Sequence, residues 1–406
     1  MRADGHDYVI TALAAACFIS VTSENAPIAL LPVMSHDLHT TAATIGAVLT
    51  GYAFVVAATA IPAVSLTSSW NRRTAVVVAV LTITLANIAM AMSPNVGTVI
   101  AARSVAAVGH GVFWSVVAGV AARLSGPQHA GRATATVFAG NALAFVVGLP
   151  MTSALGSVLG WRVAVLTLAL ISAAVTGALL MALPSVPGSG KGTRLSADLR
   201  SVLSQPAVLV VTGTTLVLVF GQFAAGTYVT EVIGHYTGVH GSALSVVLFA
   251  YGLAGVVGVL ALRPVIDTRP RAAALTVTAV LALATASVAI LGDRSSLFAL
   301  GAIIAWAAPA AAIATVLQTG ITRAARPGTA DIASSGYVVA FQIGIGAGAW
   351  TGGRFIDRGA YAVPLLITAG CAGLAAIAVA LVHSASPHGQ PIRSAPVSAG
   401  NRPGET

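Results

Sequence analysis

The chain alternates between long apolar windows and short clusters of charge, glycine, proline or other polar residues. With those clusters as boundaries, the windows predict helices over 8–33, 43–66, 74–93, 96–122, 133–155 and 163–183. Six more follow over 206–229, 242–262, 272–291, 297–318, 331–352 and 362–383. The windows match the roughly twenty residues that cross a bilayer as a helix. Several hold glycine or proline, which membrane helices tolerate better than soluble ones. One connection is long: residues 184–206, PSVPGSGKGTRLSADLRSVLSQP, are rich in proline, glycine, serine and base, and split the windows six from six. The expected organisation is a six-helix bundle over 1–183, a linker over 184–205, a second bundle over 206–384, and a polar, disordered tail over 385–406.

The two halves repeat. Tyr52 and Tyr251, Arg72 and Arg271, and His36 and His235 are each 199 residues apart, and RLSGP (123–127) matches RAARP (323–327) at an offset of 200. In the fifth helix Gly140, Ala144, Gly148, Thr152 and Gly156 recur at every fourth position, and Ala340, Gly344, Gly348 and Gly352 do so in the eleventh. Small-residue stripes let helix backbones approach closely where no hydrophobic effect drives helices together. The chain therefore reads as an all-α membrane protein, with twelve transmembrane helices in two pseudo-symmetric six-helix bundles facing a central cavity. That is a transporter architecture.

Composition narrows the class further. Hydrophobic residues make up 57% and charged residues only 8%, against about 25% charged in a soluble domain, so a water-covered surface is excluded. The net charge of +9 does not imply nucleic acid, because no basic cluster with interleaved aromatics occurs and the positive charges lie between the windows. Fifteen of the twenty Lys and Arg fall on one side of the predicted membrane and four on the other, while Arg103 lies inside a window. The positive-inside rule then places both termini and the linker in the cytoplasm, and the chain is expected in the plasma membrane. Cys17 and Cys371 both sit in apolar windows, which supports neither a disulfide framework nor a thiolate metal site. ALAAAC, ending at Cys17, faintly resembles a lipoprotein cleavage site, but the apolar run continues well past it. No His-Glu-x-x-His, cysteine pair or nucleophile elbow is found, so the reading is not an enzyme and needs no metal or cofactor.

The candidate chemistry lies in polar residues inside the windows. In ACFISVTSENAPIALL (16–31), Glu24 has Asn25 beside it and Pro27 three residues on. Counted from Tyr8 it lies about 24 Å along the first helix. An ionisable residue at the bilayer centre costs roughly 2.5–3.5 kcal/mol on insertion scales. A carboxyl kept from water also holds its proton more readily than one in solution, which makes Glu24 a candidate proton carrier; a headgroup-level cap is the alternative. Arg103, Ala107, His110 and Trp114 share one face of the fourth helix. Arg103 keeps its charge and must meet an acid, carbonyls or water, or snorkel to the interface. His110, Trp114, Asn25, Asn141, Gln222, Tyr228, Trp306 and Gln342 are candidate substrate contacts, with packing as the alternative for each. Glu231 reads as lying at the outer end of the seventh helix, and Trp161 as an interfacial belt residue.

These segments resemble the major facilitator superfamily, in particular its drug:proton antiporter branch and the bacterial sugar efflux transporters. TSENAPIALLP is similar to the first-helix signature of that branch, NRR to its basic loop after the second helix, and AARSVAAVGHGVFWSVVAGVAARL to its fourth helix. AGNALAFVVGLPMTSALGSVLGWR resembles its fifth helix, with the Gly-x-Pro pattern of exporters at Gly148 and Pro150. FQIGIGAGAWTGG resembles the eleventh helix of sugar efflux transporters. Ser68 and Ser69 stand where the family's loop has Asp-Arg, the acid surviving only in the second half as Asp267, and Ala107 stands where a glycine is frequent. The resemblance implies a conformational switch involving Arg72, Arg73, Arg271, Asp267, Gly148, Pro150 and Gly348.

The function expected is proton-coupled export of a sugar-like or neutral drug-like molecule by alternating access, from a monomer surrounded by membrane lipid. One proton moving through 100 mV supplies about 2.3 kcal/mol, or roughly fifty-fold accumulation. A uniporter or proton symporter of a sugar or nucleoside is the nearest alternative. The scarcity of acids facing the cavity speaks against strongly cationic substrates.

Overall fold

The computed structural model describes residues 3–67, 69–125, 130–187, 204–326 and 330–384, and no strand occurs among them. The first span is α1 (Ala3–Ala29) continued by the short α2 (Leu31–Asp37). Pro27 has no N–H to return to the Ser23 carbonyl, and Pro32 sits in the first turn of α2, where its missing donor costs nothing. The Met34 N–H still reaches the Leu30 carbonyl at 2.8 Å, so the two pieces form one bent span. The same break occurs between α9 (Pro206–Gly226) and α10 (Val229–Thr237). There the Tyr228 N–H reaches back only three residues, to the Ala225 carbonyl at 2.9 Å.

The remaining elements of the first half are α3 (Ala42–Thr67), α4 (Arg72–Ala91), α5 (Val96–Ser125), α6 (Ala130–Leu143), α7 (Leu149–Leu159) and α8 (Trp161–Ala182). Asn71 caps α4 by accepting the Arg73 N–H. A wide π turn at Ala144–Gly148 joins α6 to α7, just ahead of Pro150. The second half continues with α11 (Ser242–Thr268), α12 (Pro270–Leu291), α13 (Ser296–Ala324), α14 (Ala330–Ile356) and α15 (Ala362–Ser384). Among the described residues, eleven spans are long and apolar enough to cross a bilayer. The twelfth is α14, whose 27 residues would reach about 40 Å. Its glycines, Ser334, Ser335 and Gln342 dilute its apolar character.

Among the described residues, buried side chains gather in two large clusters and a small third one around Tyr52 and Ala107. One joins residues between Val9 and Leu183, with Tyr228 and Ile356 added; the other runs from Val208 to Ala375, with Ile28, Leu49 and Ala53 added. The halves meet along α3 against α14, where Leu49, Ala53 and Ile356 cross between the clusters, and along the π turn and α7 against α11. Thr50 Oγ1 donates to the Gly346 carbonyl at 3.0 Å, and the Ala43 N–H to Asp357 Oδ1 at 3.0 Å. Ser245 Oγ donates to Ser153 Oγ at 3.3 Å, and Thr230 Oγ1 to the Ile28 carbonyl at 3.4 Å. These bonds all lie toward the end of the bundle away from Ala3 and Ser384, here called the far end.

The small-residue stripes have a different place from the one expected of a switch. A Cβ at Gly140 would run into the Ala14 carbonyl, and one at Gly148 into Thr22, both on α1. A Cβ at Gly348 or Gly352 would run into the Phe220 or Ala224 carbonyl on α9. Each stripe thus binds two helices of its own half. Close approach between the halves falls on glycines outside the stripes: Gly252 against the Phe145 carbonyl, and Gly346 against the Thr50 carbonyl at 3.2 Å from a built Cβ.

Trp161 also differs from expectation. It is 2% exposed, and its indole N–H donates to Asp37 Oδ2 at 2.8 Å. Gly160, with φ of 84°, turns the chain so that α8 begins beneath α2, and the indole points into the bundle instead of into a headgroup layer. Arg162 completes the fastening through Asp37 and the Ser93 carbonyl. The Trp161 hydrogen bond first, then that of Arg162, hold the Asp37 carboxyl below its ordinary range.

Candidate functional site

Ser20, Ser23 and Glu24 lie three and four residues apart on α1 and therefore share a face. That face meets Tyr52 from α3, Asn87 from α4, and Arg103 and His110 from α5. Arg103 is 1% exposed. Its Nη1 donates to Ser23 Oγ at 3.2 Å and its Nη2 to the backbone carbonyl of Glu24 at 3.0 Å. Its guanidinium carbon stands 4.4 Å from the centre of the Tyr52 ring, a cation–π contact. Ser23 Oγ in turn donates a hydrogen bond to Asn87 Oδ1 at 2.8 Å. Ala107, fully buried beside Tyr52 and Ala106, fits the closely packed seam of α3 and α5.

The Glu24 carboxyl points elsewhere. Oε2 lies 3.5 Å from His110 Nε2, and the Gln342 amide approaches the carboxyl from α14, across the divide between the halves. Ser20 Oγ lies 2.9 Å from His110 Nδ1, which fixes the imidazole plane, and the ring sits between Tyr52 and Trp114 at centroid distances of 5.6 and 5.9 Å. The Glu24 side chain keeps 13% exposure, against 4% for that of His110. A permanent cation and a carboxyl are therefore neighbours without an ion pair between them, because the guanidinium spends its forked donors on neutral oxygens. Two buried donors in the cluster, Arg103 Nε and Asn87 Nδ2, have no hydrogen-bond partner.

The corresponding place in the second half holds different chemistry. At the 199-residue offset, Ser23 becomes Gln222 and Tyr52 becomes Tyr251. Trp306 Nε1 donates to Gln222 Oε1 at 2.9 Å, and the Tyr251 ring meets Trp306 edge-on at 6.0 Å. Beside them Phe223, Phe341 and Tyr337 form a run of ring contacts at 6.5 and 5.7 Å. One amide and several ring faces replace the charges of the first half.

Glu24, Arg103, His110, Trp114 and Gln342 are thus brought together, as are Gln222 and Trp306. Asn25 turns back on its own helix, donating to the Val21 carbonyl at 3.0 Å. Tyr228 is fully buried at the far end, its hydroxyl donating to the Ala349 carbonyl at 2.8 Å, so it is placed for packing and away from the cluster. Asn141 is half-buried on α6, beside α1. Glu231 lies near the start of α10, toward the far end.

The arginines expected in a switch bind carbonyls of their own half. Arg73 donates to Leu180, Arg72 to Thr67 at 3.2 Å and Arg271 to Ala380 at 3.0 Å. The Asp267 side chain lies outside the described residues. A cavity of about 270 Å³, lined mainly by apolar residues of α9, α12, α13 and α15 with Arg271 at its edge, is separate from the polar cluster. No group of side chains suited to a metal occurs among the described residues.

Sequence reasoning passed over Asn87, Ser23, Ser20 and Tyr52. The signal for Asn87 was present, since an amide within TITLANIAMAM is as much in need of a partner as Glu24 is.

Comparisons with known proteins agree with this fold. The sequence profile of the Major Facilitator Superfamily matches residues 13–349. A chloramphenicol efflux pump of Mycobacterium tuberculosis, found in two strains, is 37% identical over 375 residues, covering 90% of each chain. Among solved structures, a peptide transporter of the POT group superposes with a TM-score of 0.74 at 13% identity, covering 92% of this chain and 93% of that one. A bacterial homologue of the human lysosomal transporter Spinster, in an inward-facing state, gives 0.71 at 12% identity, covering 95% and 96%. The human organic anion transporter TETRAN gives 0.69 at 14% identity, covering 92% and 99%.

Proposed function

The chain belongs to the major facilitator superfamily, and on that premise we propose that it exports small uncharged molecules in exchange for protons. It is a multi-pass membrane transporter and not an enzyme. The observation that carries the coupling is the Glu24 carboxyl, set in the bundle beside His110 and free of an ion pair with Arg103. Such a carboxyl can bind a proton in one state of the cycle and give it up in the other, since its surroundings change when the halves move. Residues 1–183 and 206–384 act as the two moving bodies. With the termini in the cytoplasm by the positive-inside rule, the far end is external, and the cross-half bonds hold it shut. The state described then opens toward the cytoplasm, where substrate is collected.

The substrate reading follows the second-half cluster and the relative named for chloramphenicol efflux. Phe223, Phe341 and Tyr251 offer ring faces and Gln222 a single amide, which suits a neutral aromatic compound of the amphenicol kind. A sugar would call for more hydrogen-bonding side chains than this cluster has.

Purified protein in liposomes tests the coupling. Wild type should accumulate chloramphenicol against its gradient when a pH difference is imposed. Glu24→Gln should lose that accumulation, up to about fifty-fold per proton at 100 mV, yet still exchange substrate downhill. Undiminished gradient-driven accumulation by Glu24→Gln would remove Glu24 from the coupling, and accumulation by neither protein would favour a uniporter.

A further inference from the structure

We propose that Asn87 is a positioning residue for the proton site: through Ser23 it holds the Arg103 guanidinium on the Glu24 backbone and away from the Glu24 carboxyl. The inference rests on the proton-coupling reading above. The chain of contacts has a direction. A serine hydroxyl has one proton to give and lone pairs to receive with. Ser23 gives its proton to Asn87 Oδ1 at 2.8 Å, so a lone pair is left for Arg103 Nη1 at 3.2 Å. With Nη1 fixed there, Nη2 falls on the Glu24 carbonyl at 3.0 Å. Asn87 is 1% exposed on α4 and has no other visible reason to be polar at that depth.

What happens without Asn87 can be read from the residue next to Ser23. Thr22 turns its hydroxyl back to the carbonyl four residues earlier, Phe18, at 2.7 Å. A serine without a side-chain acceptor takes the same local option. Ser23 Oγ would then swing toward its own helix and away from Arg103, and the guanidinium would be free to turn to the nearest strong acceptor. That is the Glu24 carboxylate, one side chain away from the carbonyl already bound.

A charge-assisted pair in a water-poor site is strong, and it would hold Glu24 in its charged form. The groups facing Glu24 are Tyr52 from α3, Arg103 and His110 from α5, and Gln342 from α14, while Asn87 on α4 reaches it only through Ser23. Of these, Arg103 alone carries a permanent charge. The unpartnered Asn87 Nδ2 fits the same reading, because the amide is oriented by what its oxygen accepts.

The test measures the pH midpoint of gradient-driven chloramphenicol transport in liposomes for wild type, Asn87→Leu, Ser23→Ala and the double variant. An opposite charge brought to a carboxyl lowers its protonation midpoint by about 1–3 units, so both single variants should move the transport midpoint toward acid by about one unit or more. Both cut the same link, so the double variant should move it no further than the larger single. A wild-type midpoint in both single variants, whatever their rates, overturns the proposal, as does a fully additive double. If Asn87→Leu fails to insert, Ser23→Ala decides alone, since it cuts the link and leaves Asn87 in place. Glu24→Gln is run alongside. Gradient-driven transport by Glu24→Gln would overturn the coupling reading and this one with it. Its loss in Glu24→Gln, together with wild-type midpoints in the other variants, would overturn only the role of Asn87.

Discussion

Arg103 shows what a permanent charge needs in order to sit inside an apolar bundle. Its forked donors reach two oxygens on one helix while its plane lies over Tyr52, a combination that a planar guanidinium makes and a point-charge ammonium does not. Arg103→Lys should therefore insert but lose one of these bonds. Loss of a hydrogen bond to a charged group costs about 1.5–3 kcal/mol, so transport should fall roughly ten- to hundred-fold, measured as chloramphenicol efflux at matched membrane levels. Wild-type efflux by the lysine variant would show that charge alone suffices. At this scale the sequence was readable where a residue was expensive. Glu24, Arg103 and His110 announced themselves by their cost in an apolar window, whereas Ser20 and Ser23 did not, since a serine can satisfy itself on its own helix. Residue type also said nothing about direction. Asn25, Tyr228 and Trp161 are polar or amphiphilic as expected, yet one bonds its own backbone and two are sealed into packing.

The spans themselves were plain in the pattern, but the face each presents was not. In a bilayer both lipid and neighbouring helix are apolar, so the order of apolar residues does not tell a lipid-facing side from a packed one. That is why the glycine stripes could be found by spacing while the helix each packs on could not. Gly148 packs on Thr22 within its own half, so Gly148→Leu should destabilise the first bundle itself. Overpacking costs typically 1–3 kcal/mol, and a lower melting temperature in detergent should show it. Gly252 meets Phe145 across the halves, so Gly252→Leu should leave melting nearly unchanged and instead wedge the far end open. A Ser245→Cys reporter should then react faster with an impermeant maleimide from outside. Equal melting losses in the two leucine variants would mean that the distinction between stripe and seam has no energetic content. The π turn beside Pro150 was likewise invisible, because the Gly-x-Pro pattern marks a break without saying how the backbone absorbs it.

For the molecule as a whole, the repeat offset was the most informative reading, since it maps Ser23 onto Gln222 and Tyr52 onto Tyr251 and so finds the second cluster from the first. The orientation is tested by reporter fusions: those at Ser189 and after Thr406 should behave as cytoplasmic, and one at Ser295 as external. An external signal at Ser189 would contradict the arrangement of the two halves. The far-end seam has a consequence of its own. It is fastened mainly by hydroxyls on carbonyls or on each other, Thr50 on Gly346, Ser245 on Ser153 and Thr230 on Ile28, with one backbone amide on Asp357. Each such bond contributes only about 0.5–1.5 kcal/mol net, so the four together contribute a few kcal/mol, on the scale of the roughly 2.3 kcal/mol a proton delivers through 100 mV. If Glu24 couples transport to protons as proposed, a seam fastened this lightly is one that a single proton's free energy can open.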